Sequence, residues 1–260
     1  MPDQRPVAVV TGSAIRVGRA IAGSLVDHGY RVWIHYRSSG DPATRAVAEL
    51  GEAALGPLRA DLSDETARTD LTRTIVDRSG PAGGRLDLLV NSAASFEDGD
   101  FLARTDADLR RVLEINLVAP MSLARGLAPA LTESRGSIVN MVDVSAVEVW
   151  RGYVEHGVAK AGLSMATRAL AVELAPVRVN AIAPGTVLWP EGQEWAEGST
   201  ARARTVARIP LGRVGSPADV AAAVRFFARA THVTGQVLAV DGGHSAAGGG
   251  HLRPHEEPDA

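Results

Sequence analysis

The 260-residue chain contains no cysteine. Disulfides, thiolate metal ligands and cysteine nucleophiles are therefore excluded. Lysine is almost absent too: of 27 basic residues only Lys160 is a lysine, and the rest are arginine. No apolar run approaches membrane-spanning length. The opening MPDQRP is polar and leads straight into a strand-like run, which predicts no secretory signal. The seven histidines (His28, His35, His156, His232, His244, His251, His255) show no HExxH or comparable ligand spacing, so no metal site is expected. A formal net charge of −3 gives no electrostatic case for nucleic acid or for an anionic membrane. The expected compartment is the cytoplasm. The chain's length and 45% hydrophobic content suit one large domain with a substantial core.

The pattern along the chain is an alternation. Val7–Val10 is a short continuous apolar run, as expected for a strand buried on both faces. A glycine turn, a helical pattern through Ile21, Leu25 and Val26, and a second strand at Arg31–Arg37 follow. Strand, glycine turn, helix and strand within about thirty residues make a βαβ unit, whose right-handed crossover makes the sheet parallel. Further strands are predicted at Leu55–Ala60, Leu86–Asn91, Gly136–Val142, Val177–Ala183 and Val237–Val240. Helices are predicted at Ala43–Gly51, Asp64–Arg78, Asp106–Leu131, Tyr153–Ala175 and Pro217–Ala228. The expected fold is a single doubly wound Rossmann α/β domain over residues 1–243, with about seven parallel strands and helices on both faces. Residues 244–260, Gly- and Pro-rich and polar, are expected to form a flexible tail.

In the turn after the first strand, Gly12 and Gly18 let the backbone approach a pyrophosphate at a helix N-terminus. The end of the second strand offers His35, Tyr36, Arg37 and Ser38, with no carboxylate to hold a ribose 2′-hydroxyl. Arg37, together with Arg16 in the glycine turn, suits a 2′-phosphate, which points to NADP rather than NAD.

Asp143 to Lys160 is the chemically dense stretch. It follows a buried strand and enters a long helix. His156 and Lys160 are four residues apart and share one helical face, with Tyr153 one turn earlier on a neighbouring face. A carboxylate, an imidazole, a phenol and the one ammonium of the chain thus meet at a strand end. Arginine there would be wider, planar and differently hydrated.

Together these pieces resemble the short-chain dehydrogenase/reductase family, over Val7 to Gly243. Thr11–Gly18 resembles the family's glycine motif, with Arg16 in place of its middle glycine. The resemblance places Asp61 and Leu62 at the adenine, and Asn91, Ala93, Val17, Pro184, Gly185 and Thr186 along the cofactor. It also makes Asn116 an active-site asparagine. Asn91-Ser92-Ala93-Ala94 departs from the usual Asn-Asn-Ala-Gly. Within the family the chain looks most like bacterial pteridine reductases, through Arg16, the HYRS segment, Ser95-Phe96 and Asp143. That likeness implies Phe96 stacked on a flat substrate, and a mobile lid at Val187–Arg204 bearing Trp189 and Trp195.

The family's catalytic Tyr-x-x-x-Lys is here His156-x-x-x-Lys160. A phenol needs a neighbouring cation to bring its pKa of about 10 toward neutrality, whereas an imidazole starts near 6.5. Three donors remain open: His156 oriented by Asp143, Asp143 itself, or Tyr153. In each case the resemblance has Lys160 binding the nicotinamide ribose. The expected activity is an NADPH-dependent reductase acting on a C=N or C=O bond of a planar substrate such as a pterin or an imine. The alternatives are a non-redox isomerase or dehydratase, and an NADPH-binding module without turnover. A homotetramer or homodimer packed through the two longest helices is implied by the resemblance alone.

Overall fold

The computed structural model describes residues 4–79 and 85–247. Seven strands build one sheet: β1 (Val7–Val10), β2 (Arg31–Tyr36), β3 (Ala54–Arg59), β4 (Leu88–Asn91), β5 (Ser137–Met141), β6 (Arg178–Pro184) and β7 (Val237–Val240). Their order is β3-β2-β1-β4-β5-β6-β7, and every neighbouring pair is parallel. The order reverses between β1 and β4, so the carboxyl ends of these two strands flank a ligand crevice.

Eight α-helices accompany the sheet among the described residues: α1 (Arg16–Val26), α2 (Gly40–Leu50), α3 (Glu65–Arg78), α4 (Asp106–Leu113), α5 (Ala119–Ser134), α6 (Val154–Glu173), α7 (Thr200–Ala207) and α8 (Pro217–Arg229). The period of two along β1 sets the layers. Val7 and Val9 pack into a core with Leu71 and Ile75 of α3 and with Leu123 and Leu127 of α5. Ala8 and Val10 face the opposite core, with Ile21 and Leu25 of α1 and Val220 and Val224 of α8. Truncating one such side chain, for example Leu127→Ala, removes about 2–5 kcal/mol. Covering both faces explains why β1 reads as an unbroken apolar run.

The structure changes three sequence expectations. The helix expected at Asp106–Leu131 is two helices joined by a π turn, Glu114–Val118, and runs on to Ser134. The wider turn carries Asn116 into the interior, where it is completely buried; π turns inside α-helices often occur at functional sites. Second, the lid segment contains a helix of its own, α7. Ser199 starts it by accepting a hydrogen bond from the Arg202 amide. Third, the chain does not lose structure at Gly243. Residues Ser245–Ala247 form a 3-10 turn, and Asp241 accepts from both the amide and the hydroxyl of Ser245. The remainder of the expected tail, 248–260, lies outside the described residues. No helix among the described residues is long and apolar enough to cross a membrane.

Candidate active site

A cavity of about 630 Å³ opens at the carboxyl ends of β1, β2 and β4. Its floor is the turn from Gly12 to Gly18. Gly12 has φ +65°, and a Cβ there would lie 3.0 Å from the Ala93 Cα. At Gly18 a Cβ would stand 2.3 Å from the Gly12 carbonyl oxygen, so only glycine closes this turn. Arg16 also has positive φ, +55°, on a residue with a side chain. The left-handed region costs such a residue about 1 kcal/mol. A strained arginine thus stands at the cavity wall, where the motif that this turn resembles has a glycine.

Tyr36, Arg37 and Ser38 form the far end of the same cavity, with Val17 and Leu62 beside them. Arg16 and Arg37 are both exposed. Neither forms an ion pair among the described residues, although the Arg37 charge reaches the Asp61 carboxylate and helps to lower its pKa. His35 is different from its expected role. It lines the cavity, but both ring nitrogens are engaged: Nδ1 accepts from the Gly12 amide (3.0 Å) and Nε2 donates to the Ala60 carbonyl (3.2 Å). A ring that accepts at one nitrogen and donates at the other is neutral. Burial holds its pKa down, at about 4. His35 therefore ties the glycine turn to β2 and β3 rather than offering a polar atom to a ligand.

Several other expected contacts lie outside the cavity lining. Asp61 turns one oxygen to the amide and hydroxyl of Ser63 (2.9 and 2.7 Å), and these bonds lower its pKa. Asn91 is buried and donates to Asn140, which donates to Thr167 of α6, so this amide bonds β4 to β5 and, through it, to α6. Gly185, between Pro184 and Thr186, follows β6 closely against Asp241; a Cβ on it would meet the Asp241 Cβ at 2.8 Å. Trp189 and Trp195 stack on each other 6.0 Å apart. The cation on Trp189 is the chain's own Arg202, 4.8 Å from the ring. The expected aromatic grip on a substrate is thus filled internally.

Below the cavity lies a buried polar cluster, and the Ser95-Phe96 segment after β4 separates the two. Asn116 donates to the Ser95 carbonyl and hydroxyl (3.0 Å each). His156 Nδ1 donates to the same carbonyl (3.2 Å). Asp143 does not orient His156, contrary to the first of the three mechanisms; its carboxylate accepts from the Ser145 amide instead (2.9 Å). Burial raises the Asp143 pKa. Burial first, and the Lys160 charge second, lower His156 to about 4. Lys160 is 3% exposed, donates to the Met141 carbonyl (3.0 Å), and is lowered by burial to about 8, while Asp143 opposes that shift.

Phe96 is half-exposed and gathers the aromatic groups. Tyr153 stacks on it at 4.5 Å, His156 meets it edge-on at 4.9 Å, and Trp150 stands edge-on at 6.2 Å. Tyr153 is thereby part of a platform, and burial raises its phenol pKa, the wrong direction for a proton donor near neutrality. Three contributors were given no role of their own from sequence: Thr11 and Ser95 entered only as parts of motifs, and Trp150 not at all. Thr11 Oγ1 accepts from the amides of Ser92 and Ala93 (2.9 Å each) and so pins the segment after β4. Its place in the glycine motif was the available signal. Ser95 acts through its backbone oxygen, which no side-chain type reveals, and Trp150 reaches Phe96 only through the tertiary fold.

Comparison with known proteins agrees with this architecture. The family model described as enoyl-(acyl carrier protein) reductase matches residues 12–245. A 3beta-hydroxysteroid dehydrogenase 1 of Eggerthella lenta is 33% identical, covering 90% of this chain and 92% of its own length. The 3-oxoacyl-acyl-carrier-protein reductase FabG of Thermotoga maritima is 32% identical, covering 91% and 96%. A solved structure provisionally described as a betaketoacyl-ACP reductase superposes with TM-score 0.80 and 29% identity, covering 92% of this chain and 98% of its own. The chain belongs to the short-chain dehydrogenase/reductase family of oxidoreductases.

Proposed function

We propose that this oxidoreductase is an NADPH-dependent reductase of the pteridine reductase type, acting on a C=N or C=O bond of a small planar heterocycle. The observation that carries the cofactor choice is the pair Arg16 and Arg37, exposed at one cavity and outside any ion pair among the described residues, with Asp61 near enough to Arg37 to feel its charge. The cradle fits a dinucleotide: side-chain-free Gly12 and Gly18 leave the turn open where the α1 amides point. A reduced nicotinamide dinucleotide supplies hydride when bound there. Arg16 and Arg37 would hold the 2′-phosphate, and the Gly12–Gly18 turn the pyrophosphate. Lys160, on the α6 face behind Ser95-Phe96, would hold the nicotinamide ribose.

In this reading His156 occupies the place of the family's catalytic tyrosine, and the proton comes from Asp143. Burial raises that carboxyl, so it retains a proton more readily than an exposed carboxylate. The half-exposed Phe96 ring, with Tyr153 and Trp150 around it, suits a flat substrate. Self-association through α6 belongs to the same reading. Val158, Met165 and Val172 recur every seven residues, and each is more than half exposed.

Two titrations test the proposal. NADPH and NADH binding are measured for the parent and for Arg37→Glu; NADPH is expected to weaken at least tenfold and NADH to change little. NADPH oxidation is then followed with dihydropterins, cyclic imines and ketones, in the parent and in Asp143→Asn. Turnover that Asp143→Asn abolishes supports the assignment. Bound NADPH that no substrate consumes refutes it.

A further inference from the structure

His156 Nε2 is buried and has no hydrogen-bond partner. Buried polar atoms without partners are rare, and each calls for an explanation. The other ring nitrogen settles what this atom is. Nδ1 lies 3.2 Å from the Ser95 carbonyl, which can only accept, so Nδ1 carries the proton. A neutral imidazole has one such proton, and Nε2 is left as a bare lone pair.

We propose that His156 is a specificity-determining acceptor: through Nε2 it reads a hydrogen-bond donor, N–H or O–H, on the substrate. This choice of substrate rests on the reductase reading above, whereas the tautomer does not. A tyrosine hydroxyl can both donate and accept; this imidazole, with its proton assigned to Nδ1 by the Ser95 carbonyl, only accepts at Nε2. A simple ketone would set its oxygen lone pairs against Nε2. A cyclic imine or amidine with an N–H beside the reducible bond would satisfy it, as would a hydroxyl.

The groups around the ring hold this state. Lys160, one turn along α6, places a cation nearby and opposes a second proton on the imidazole. Asp143 is bonded to the Ser145 amide, and Tyr153 is stacked on Phe96, so no hydrogen bond ties either to the ring. The Ser95 carbonyl is shared with Asn116, whose amide also donates to the Val112 carbonyl of α4. Asn116 is thus a positioning residue for the imidazole. Phe96 both lines the cavity and meets the imidazole edge-on at 4.9 Å, which places the His156 ring one side chain from the cavity wall.

Nitrogen-15 NMR of the histidine-labelled full chain tests the tautomer without any turnover. The expected result is a protonated Nδ1 and an unprotonated Nε2 for His156, unchanged between pH 8 and pH 6. An Nε2-protonated tautomer overturns the proposal. Binding is then measured for two pairs: a dihydropterin and its ring N-methyl derivative, and a secondary alcohol and its methyl ether. At least one donor-bearing ligand should move the Nε2 resonance and bind at least tenfold tighter than its methylated partner. That preference should shrink below threefold in His156→Phe and return in His156→Gln, whose amide oxygen can accept. Equal binding within both pairs, or no Nε2 shift with either donor, also overturns it. If NADPH is never consumed while the tautomer and the donor preference hold, the reductase reading fails and this inference stands.

Discussion

Lowering the pH from 7 to 5 should destabilise this protein through two neutral, buried histidines. His35 and His156 are 2% and 3% exposed, and each is held at about 4 against 6.5 for a free imidazole. Because the folded pKa lies below the unfolded one, stability is intact above pH 6.5. It falls as the unfolded chain takes up protons that the folded chain refuses, and the loss is complete below about pH 4. At 1.36 kcal/mol per unit the full effect is about 3.4 kcal/mol for each ring, of which about 2 kcal/mol develops by pH 5. Few other groups interfere in this window. Asp61, Asp219 and Asp241 are lowered and titrate below it, and Lys160 stays charged throughout. Asp143 is raised and acts in the opposite direction, so about 4 kcal/mol for the two rings is an upper bound. A variant comparison isolates the term. Urea denaturation of the parent and of His35→Gln, at pH 7 and pH 5 and one protein concentration, should show the variant losing about 2 kcal/mol less between the two pH values. The variant will be weaker at pH 7, since it disturbs the bonds to Gly12 and Ala60. Equal pH sensitivity of parent and variant would refute the assignment of His35 as a neutral buried clip.

Gly18→Ala should abolish dinucleotide binding in a fluorescence titration and cost at least about 2 kcal/mol in denaturation, because its Cβ would stand 2.3 Å from the Gly12 oxygen. Arg16→Gly should leave stability within about 1 kcal/mol, since relief of the +55° φ offsets the greater freedom of glycine in the unfolded chain. The same variant should bind NADPH at least tenfold more weakly, a separation of stability from affinity that the two assays resolve.

How far the sequence could be read depends on whether a feature is local. β1 coincides with its expected bounds because burial on both faces leaves an unbroken apolar run; β7 coincides too, though only partly buried, and the other strands agree to within a residue or two. Gly12 and Gly18 were legible because a turn that excludes Cβ admits no other residue. The π turn at Glu114–Val118 was not legible, since its side-chain pattern differs from an α-helix by only one inserted residue. α7 was missed for lack of apolar periodicity: none of its residues is buried, and a serine cap starts it.

Within the site, local pattern placed His156 and Lys160 on one helix and Arg16 and Arg37 at one strand-end crevice. Composition and periodicity therefore determined the parallel α/β domain and the position of the strand-end crevice. The partners of the titratable groups were decided only when distant segments met. His35 is neutral because Gly12 and Ala60 take its two nitrogens; Asn91 faces Asn140 across the sheet; Trp189 is covered by Arg202. His156 is turned by the backbone oxygen of Ser95, sixty-one residues away in sequence, and not by Asp143. A carbonyl is present on every residue and carries no sequence signature. Which one reaches an imidazole, and so which nitrogen keeps its lone pair, is set by tertiary packing alone.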